Sequence, residues 1–144
     1  MIQDSVWDGG RQLTRVRVLV ADDNTAIMEH VSTMLQVDYE IVGRVVEGNS
    51  VCTEVERLRP ALVVLDISMG ECNGIEIARQ LYERGYAGEI LFLTVHEDPD
   101  FVNAAIGAGG RGYVIKSRMN VDLRSAVKAV LSHRIFISAP LHDE

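Results

Sequence analysis

This chain is short of several things, and each shortage closes off a class of function. Cysteine occurs twice in 144 residues. Cys52 and Cys72 form no C-x-x-C pair and no metal-ligand spacing with a histidine, which sets aside a zinc site and a disulfide framework. Two reduced thiols in a cytoplasmic protein is the expectation. Positive charge is scarce as well. Lys and Arg total 14 against 21 Asp and Glu, a formal net charge of -7. A domain this acidic lacks the clustered cations that phosphate contacts need, so it is not expected to bind nucleic acid by itself. No apolar run approaches a bilayer-spanning length, which argues against a membrane span. No basic stretch followed by an apolar one opens the chain, so no signal peptide is expected. Internal repeats and low-complexity segments are absent too.

What is present is a set of short apolar runs that end in charge. Leu62-Val63-Val64-Leu65 runs into Asp66, Val18-Leu19-Val20-Ala21 into Asp22-Asp23, and Tyr113-Val114-Ile115 into Lys116. Uninterrupted apolar runs of this length read as strands buried on both faces of a parallel sheet. Open α/β sheets place their ligands at the carboxyl ends of such strands.

Between the runs lie helical patterns. Ile27, Val31, Met34 and Leu35 share one face, capped by Asn24 or Asp23. Val51, Val55 and Leu58 follow the Gly48-Asn49-Ser50 loop and stop before Pro60. Ile75, Ala78, Leu81 and Tyr82 make a third face, and Asp98-Pro99 starts a fourth helix with Phe101, Val102, Ala105 and Ile106 inward. A fifth, from Val121, carries Leu123, Ala126, Val127, Val130 and Leu131. Further strands are predicted at Ile41–Val46 and Glu89–Val95, a loop at Ile67–Asn73, and an extended exit at Ile135–Pro140. Strict alternation predicts an α/β fold: a five-stranded parallel sheet, doubly wound, of (βα)5 type. Residues 1–14 have no period and include Gly9-Gly10. They are expected to be a mobile tail in which Trp7 packs loosely or not at all.

The strand ends assemble a constellation. Asp22, Asp23 and Asp66 repel one another at one edge and call for a divalent cation, and an all-oxygen set suits Mg²⁺. Lys116 adds a second positive group, and the two together attract a phosphoryl group. A carboxylate can attack phosphorus and become an aspartyl phosphate, with the Thr94 hydroxyl placed to hydrogen-bond it. His96 is expected to be a solvated loop side chain.

At these residues the chain resembles the receiver domain of two-component response regulators. The motifs that carry the resemblance are Asp22-Asp23, Asp66-Ile67-Ser68-Met69 with Asn73-Gly74, Thr94, and Gly112-Tyr113-Val114-Ile115-Lys116. His96-Glu97-Asp98-Pro99, Ala108-Gly109-Gly110-Arg111-Gly112-Tyr113 and the Ile135-Phe136-Ile137-Ser138 exit are similar to the NarL/FixJ (LuxR-type) branch.

The resemblance implies Asp66 as phosphoacceptor, and Asp22, Asp23 and the Ser68 backbone carbonyl as Mg²⁺ ligands beside it. It implies Thr94 and Tyr113 as switch residues and Lys116 as the phosphate-binding lysine. A sensor histidine kinase would be the donor and acetyl phosphate a small-molecule substitute. Such a domain is not a conventional enzyme, yet it would catalyse its own phosphorylation and dephosphorylation at Asp66. The implied organisation is a receiver over 15–134 and, over 135–144, the start of a linker to a DNA-binding output domain absent from this chain. A stand-alone receiver acting by protein contacts is the alternative. Homodimers through helices one and five, or four and five, are compatible with either.

Two positions depart from the common pattern. Gly70 stands where many members have proline, so a freer loop after Asp66 is expected. Ser117 follows Lys116 where many have proline, which predicts either a shifted Lys116 or a strained cis bond. Two rival chemistries fit less well. A flavodoxin-like carrier needs a phosphate loop where Asp22-Asp23-Asn24 stands. A haloacid-dehalogenase-type phosphohydrolase needs an acid where Ser68 stands.

Overall fold

The computed structural model describes residues 5–8 and 11–139, with side chains from 15 onward. The packing of Trp7 and residues 140–144 of the expected linker lie outside the described residues. An antiparallel hairpin comes first: β1 (Ser5–Asp8) pairs with β2 (Arg11–Thr14), Asp8 opposite Arg11. The lack of period over residues 1–14 therefore does not keep two short strands from forming there. A Gly-Gly pair between two short extended runs is a hairpin signal as well as a breaker.

The body of the protein alternates strand and helix: β3 (Arg17–Ala21), α1 (Thr25–Leu35), β4 (Glu40–Val45), α2 (Val51–Leu58) and β5 (Leu62–Leu65) come first. After β5 come a small hairpin of β6 (Ser68–Met69) and β7 (Cys72–Asn73), then α3 (Gly74–Glu83), β8 (Glu89–Thr94) and α4 (Pro99–Gly107). β9 (Gly112–Ile115), α5 (Met119–Leu131) and β10 (Phe136–Ile137) complete the described chain. The main sheet has the order β10-β9-β8-β5-β3-β4 and is parallel throughout. It has six strands rather than the five expected. The sixth is the exit segment, which pairs Phe136 with Gly112 and Ile137 with Tyr113. Two residues carry too little period to register as a strand in sequence; pairing with the edge of β9 makes them one.

Successive side chains of a strand point to opposite faces, and the core divides accordingly. Leu62 and Val64 face α1 and α5, whereas Val63 and Leu65 face α2, α3 and α4. Every residue of β5 is buried on one side or the other, which is why the run has no polar alternation. Helix starts follow the capping chemistry. Asn24 accepts from the Ile27 amide, Asn73 from Ile75 and Glu76, and Asp98 from Asp100 with Pro99 in the first turn. Ser50 makes no side-chain cap; a 3-10 turn, Gly48–Ser50, leads into α2 instead. Among the described residues no helix is long and apolar enough to cross a membrane.

Candidate functional site at the strand ends

The chain leaves β3 outward to β4, then crosses back to β5 on the other side of β3. The order reverses there, and the crevice above the carboxyl ends of such strands is where doubly wound sheets bind ligands. Ala21 pairs with Leu65, so the next residues, Asp22 and Asp66, stand side by side. Backbone bonds extend the ladder past them: the Asp66 amide donates to Ala21 and the Asp22 amide to Val45, each at 3.0 Å.

Both carboxylates are buried, Asp22 at 2% and Asp66 at 4% relative exposure, while Asp23 is exposed. One oxygen from each of the three lies within 4.8 Å of the others. Lys116 reaches this cluster from the end of β9, its Nζ 2.9 Å from Asp22 Oδ2 and 3.1 Å from Asp66 Oδ2. The contact with Asp22 lies off the direction of a hydrogen bond, so that buried oxygen has a charge partner but no aligned donor. The remaining contacts are local. Asp22 Oδ1 accepts from the Asn24 amide at 2.8 Å, Asp66 Oδ1 from the Ser68 amide at 3.2 Å, and Asp23 Oδ2 from the Gly70 amide at 2.9 Å.

Charge crowding shows in the proton affinities. Burial and the neighbouring Asp22 charge push the Asp66 carboxyl above the usual range, against the pull of Lys116 and the Ser68 amide. Burial alone would lower the Lys116 ammonium; the close contacts with the Asp22 and Asp66 carboxylates and their charges outweigh it and hold the group above its ordinary value. One ammonium thus serves two buried carboxylates with a third beside them. An all-oxygen donor set with an under-satisfied buried oxygen fits a hard divalent cation.

The expectation for Gly70 is corrected here. Gly70 has φ +62, which proline cannot adopt, and its N–H holds Asp23, a bond proline cannot make. The acceptor loop is therefore tied into the β6–β7 hairpin and not freer. Lys116 opens a 3-10 turn, Lys116–Arg118, and is not drawn away from the carboxylates despite Ser117. Gly74 closes the other end of the loop: its amide donates to Ile67, and a Cβ there would lie 2.1 Å from the Asp66 carbonyl oxygen.

Thr94 and Tyr113 are both fully buried and meet at His96. The His96 amide donates to Thr94 Oγ1 at 3.3 Å, and the Tyr113 hydroxyl donates to the His96 carbonyl at 2.8 Å. The His96 ring stacks on Phe101, 4.2 Å between centroids, and its Nε2 lies 2.8 Å from Ser68 Oγ. A solvated loop histidine was the wrong expectation. This residue joins the acceptor loop, Thr94, Tyr113 and α4, and nothing in a lone histidine of the sequence announces such a junction.

Doubly wound topology with paired acids and a lysine at three strand ends is the arrangement that comparison with known proteins assigns to a family. The chain belongs to the response regulator receiver domain family, whose model matches residues 18–128. Its relatives include the transcriptional regulatory protein DegU of Brevibacillus brevis, 28% identical over 85% of this chain and 53% of the relative. The DNA-binding transcriptional activator EvgA of Escherichia coli K12 is 28% identical over 78% and 55%. A two-component response regulator of the LuxR family from Aurantimonas sp. SI85-9A1 superposes with a TM-score of 0.84 at 26% identity, covering 89% of this chain and 93% of that one. The resemblance to the NarL/LuxR-type branch therefore holds. The chain spans 53 to 65% of the length of the first three curated relatives it matches.

Proposed function

We propose that this chain is a phosphoacceptor module, phosphorylated on Asp66 by a sensor histidine kinase in the cytoplasm. The observation that carries the reading is the placement of Asp66: buried at 4%, bonded to Lys116 at 3.1 Å, and clustered with Asp22 and Asp23. An Asp66 oxygen would attack the phosphorus of a phosphohistidine or of acetyl phosphate, forming an acyl phosphate as the P–N or P–O bond to the donor breaks. Lys116 would pair with the incoming phosphoryl oxygens. Asp22, Asp23, Asp66 and the Ser68 backbone carbonyl would hold Mg²⁺, which when bound neutralises charge on the transferring group. The same site would return the phosphoryl group to water, so phosphorylation and dephosphorylation are both its own reactions.

The output would run through the hydrogen-bonded chain Thr94–His96–Tyr113. Phosphorylation adds charge and three acceptor oxygens at Asp66. Drawing the Thr94 hydroxyl toward them would cost the His96 amide its acceptor and disturb the carbonyl that Tyr113 holds, changing the surface of α4, β9 and α5. The coverage of DegU and EvgA supports a DNA-binding output domain beyond residue 144, reached through a linker beginning in 135–144. Homodimerisation through α1 and α5, or α4 and α5, would place two such domains on DNA. Beryllofluoride with Mg²⁺, a stand-in for the phosphoryl group, tests the reading by NMR. Amide shifts from Thr94 to Lys116 should move; if they do not, the switch is wrong.

A further inference from the structure

The Lys116–Arg118 turn has Ser117 in the middle and lacks the fixed φ a proline would give it. Something else must hold it, because Lys116 spans two carboxylates to within 3.1 Å. The structure shows a closed polar ring around the turn. Ser138, directly after β10, grips β9 on both sides of Val114: its amide donates to the Tyr113 carbonyl at 2.8 Å, and its Oγ accepts from the Ile115 amide at 3.2 Å. The same Oγ donates to Asp122 Oδ2 at 2.8 Å. Asp122 in turn accepts from Arg118, Nε to Oδ2 at 2.9 Å and Nη2 to Oδ1 at 3.3 Å. Ile115 is the residue before the turn and Arg118 its last residue, so the ring closes over Lys116 from both ends. Ser138 is fully buried and Asp122 is 7% exposed, so little water competes for the bonds of Ser138, and losing its hydroxyl leaves the Ile115 amide unmatched.

We propose that Ser138 and Asp122 are positioning residues for Lys116, bracing the turn that delivers its ammonium to the phosphoacceptor. The inference rests on the phosphoacceptor reading of Asp66 for its catalytic consequence, but its geometric content does not. It also gives the exit segment a task inside the domain: β10 is the strap that carries Ser138 to the end of β9.

The test exploits the composition. Lys116 and Lys128 are the two lysines of the chain, so side-chain carbon-13 labelling of lysine yields two signals, assigned by Lys128→Arg. In Ser138→Ala, the Lys116 signal should shift, and phosphorylation by acetyl phosphate should slow by about tenfold, the loss expected for one buried hydrogen bond. Ser138→Thr, which keeps the hydroxyl, should restore both. If Ser138→Ala does not fold, Asp122→Asn is read the same way, with a smaller change because it keeps an acceptor for Ser138. A folded variant with an unmoved Lys116 signal and an unchanged rate overturns the proposal. If the parent protein takes up no phosphoryl group at all, the phosphoacceptor reading fails, and the lysine signal still decides the positioning role.

Discussion

The Tyr113 hydroxyl donates to the His96 carbonyl at 2.8 Å while the His96 amide donates to Thr94. A buried phenol, its proton affinity raised by burial and by Asp98, is thus linked through one loop residue to the Thr94 hydroxyl. Tyr113→Phe removes the donor and leaves that carbonyl unpaired. The expected cost is about 1 kcal/mol of stability, with faster amide exchange over 95–98. Equal exchange rates in the two proteins would remove the link.

Gly74 fixes the distance between α3 and the Asp66 backbone. Gly74→Ala would place a methyl group 2.1 Å from the Asp66 carbonyl oxygen and 2.8 Å from Ile67 Cα. Backbone cannot yield as a flexible side chain would, so a loss of about 1–3 kcal/mol is expected, together with slower phosphorylation. Gly70 has open space around it but φ +62. Gly70→Ala should cost about 1–2 kcal/mol through that left-handed conformation, and Gly70→Pro more, since it also deletes the donor to Asp23. Urea denaturation of the three variants gives the order. A Gly70→Pro protein as stable as the parent would contradict the bonded acceptor loop.

Like charges at the site oppose folding. The Asp66 carboxyl is raised chiefly by burial, with Asp22 adding to it. Folding therefore favours its neutral form, and stability tied to this group falls as pH rises through its folded value. At neutral pH the charged group is a cost. Asp66→Asn should stabilise the metal-free protein by about 0.5–2 kcal/mol, seen as a higher Tm. Mg²⁺ at a hundred times its Kd should stabilise the parent by about 2.7 kcal/mol and Asp66→Asn by less. A parent Tm indifferent to Mg²⁺ would count against the cation site.

Asp122 carries the opposite sign. Burial alone would raise its carboxyl, but bonds from Arg118 and Ser138 and the Arg118 charge outweigh that and hold it below the usual range. A depressed value contributes stability that is fully present above the unfolded carboxyl value, about 3.9, and is lost as pH falls through the folded value. The Tm gap between the parent and Asp122→Asn should accordingly be full at pH 6 and narrow below about pH 4. A gap constant down to acid pH would mean that the Asp122 charge does not stabilise the fold.

The fold was legible where a local rule and the tertiary structure agree. Buried parallel strands leave uninterrupted apolar runs, and the runs ending at Asp22, Asp66 and Lys116 converge because strand order brings their carboxyl ends together. Asp98-Pro99 and Asn24 announce helix starts by their own hydrogen bonds. What sequence did not show depends on pairing across long separations. Phe136–Ile137 is a strand because Gly112–Tyr113 lies beside it, and the hairpin of Ser5–Asp8 with Arg11–Thr14 was hidden behind a Gly-Gly read as a break. Gly70 read as a flexible gap because its partner, Asp23, lies 47 residues away. His96 and Ser138 carry no signature of their own; their roles come from the Tyr113 hydroxyl, the Ile115 amide and the Asp122 carboxylate.

The central claim is that Asp66 accepts a phosphoryl group. The direct measurement is intact mass after incubation with acetyl phosphate and Mg²⁺, for the parent protein and for Asp66→Asn. One added phosphoryl group on the parent, none on Asp66→Asn, and loss of the adduct in alkali as an acyl phosphate is the predicted result. A parent that gains no mass, or an Asp66→Asn protein that gains the same mass, would contradict it.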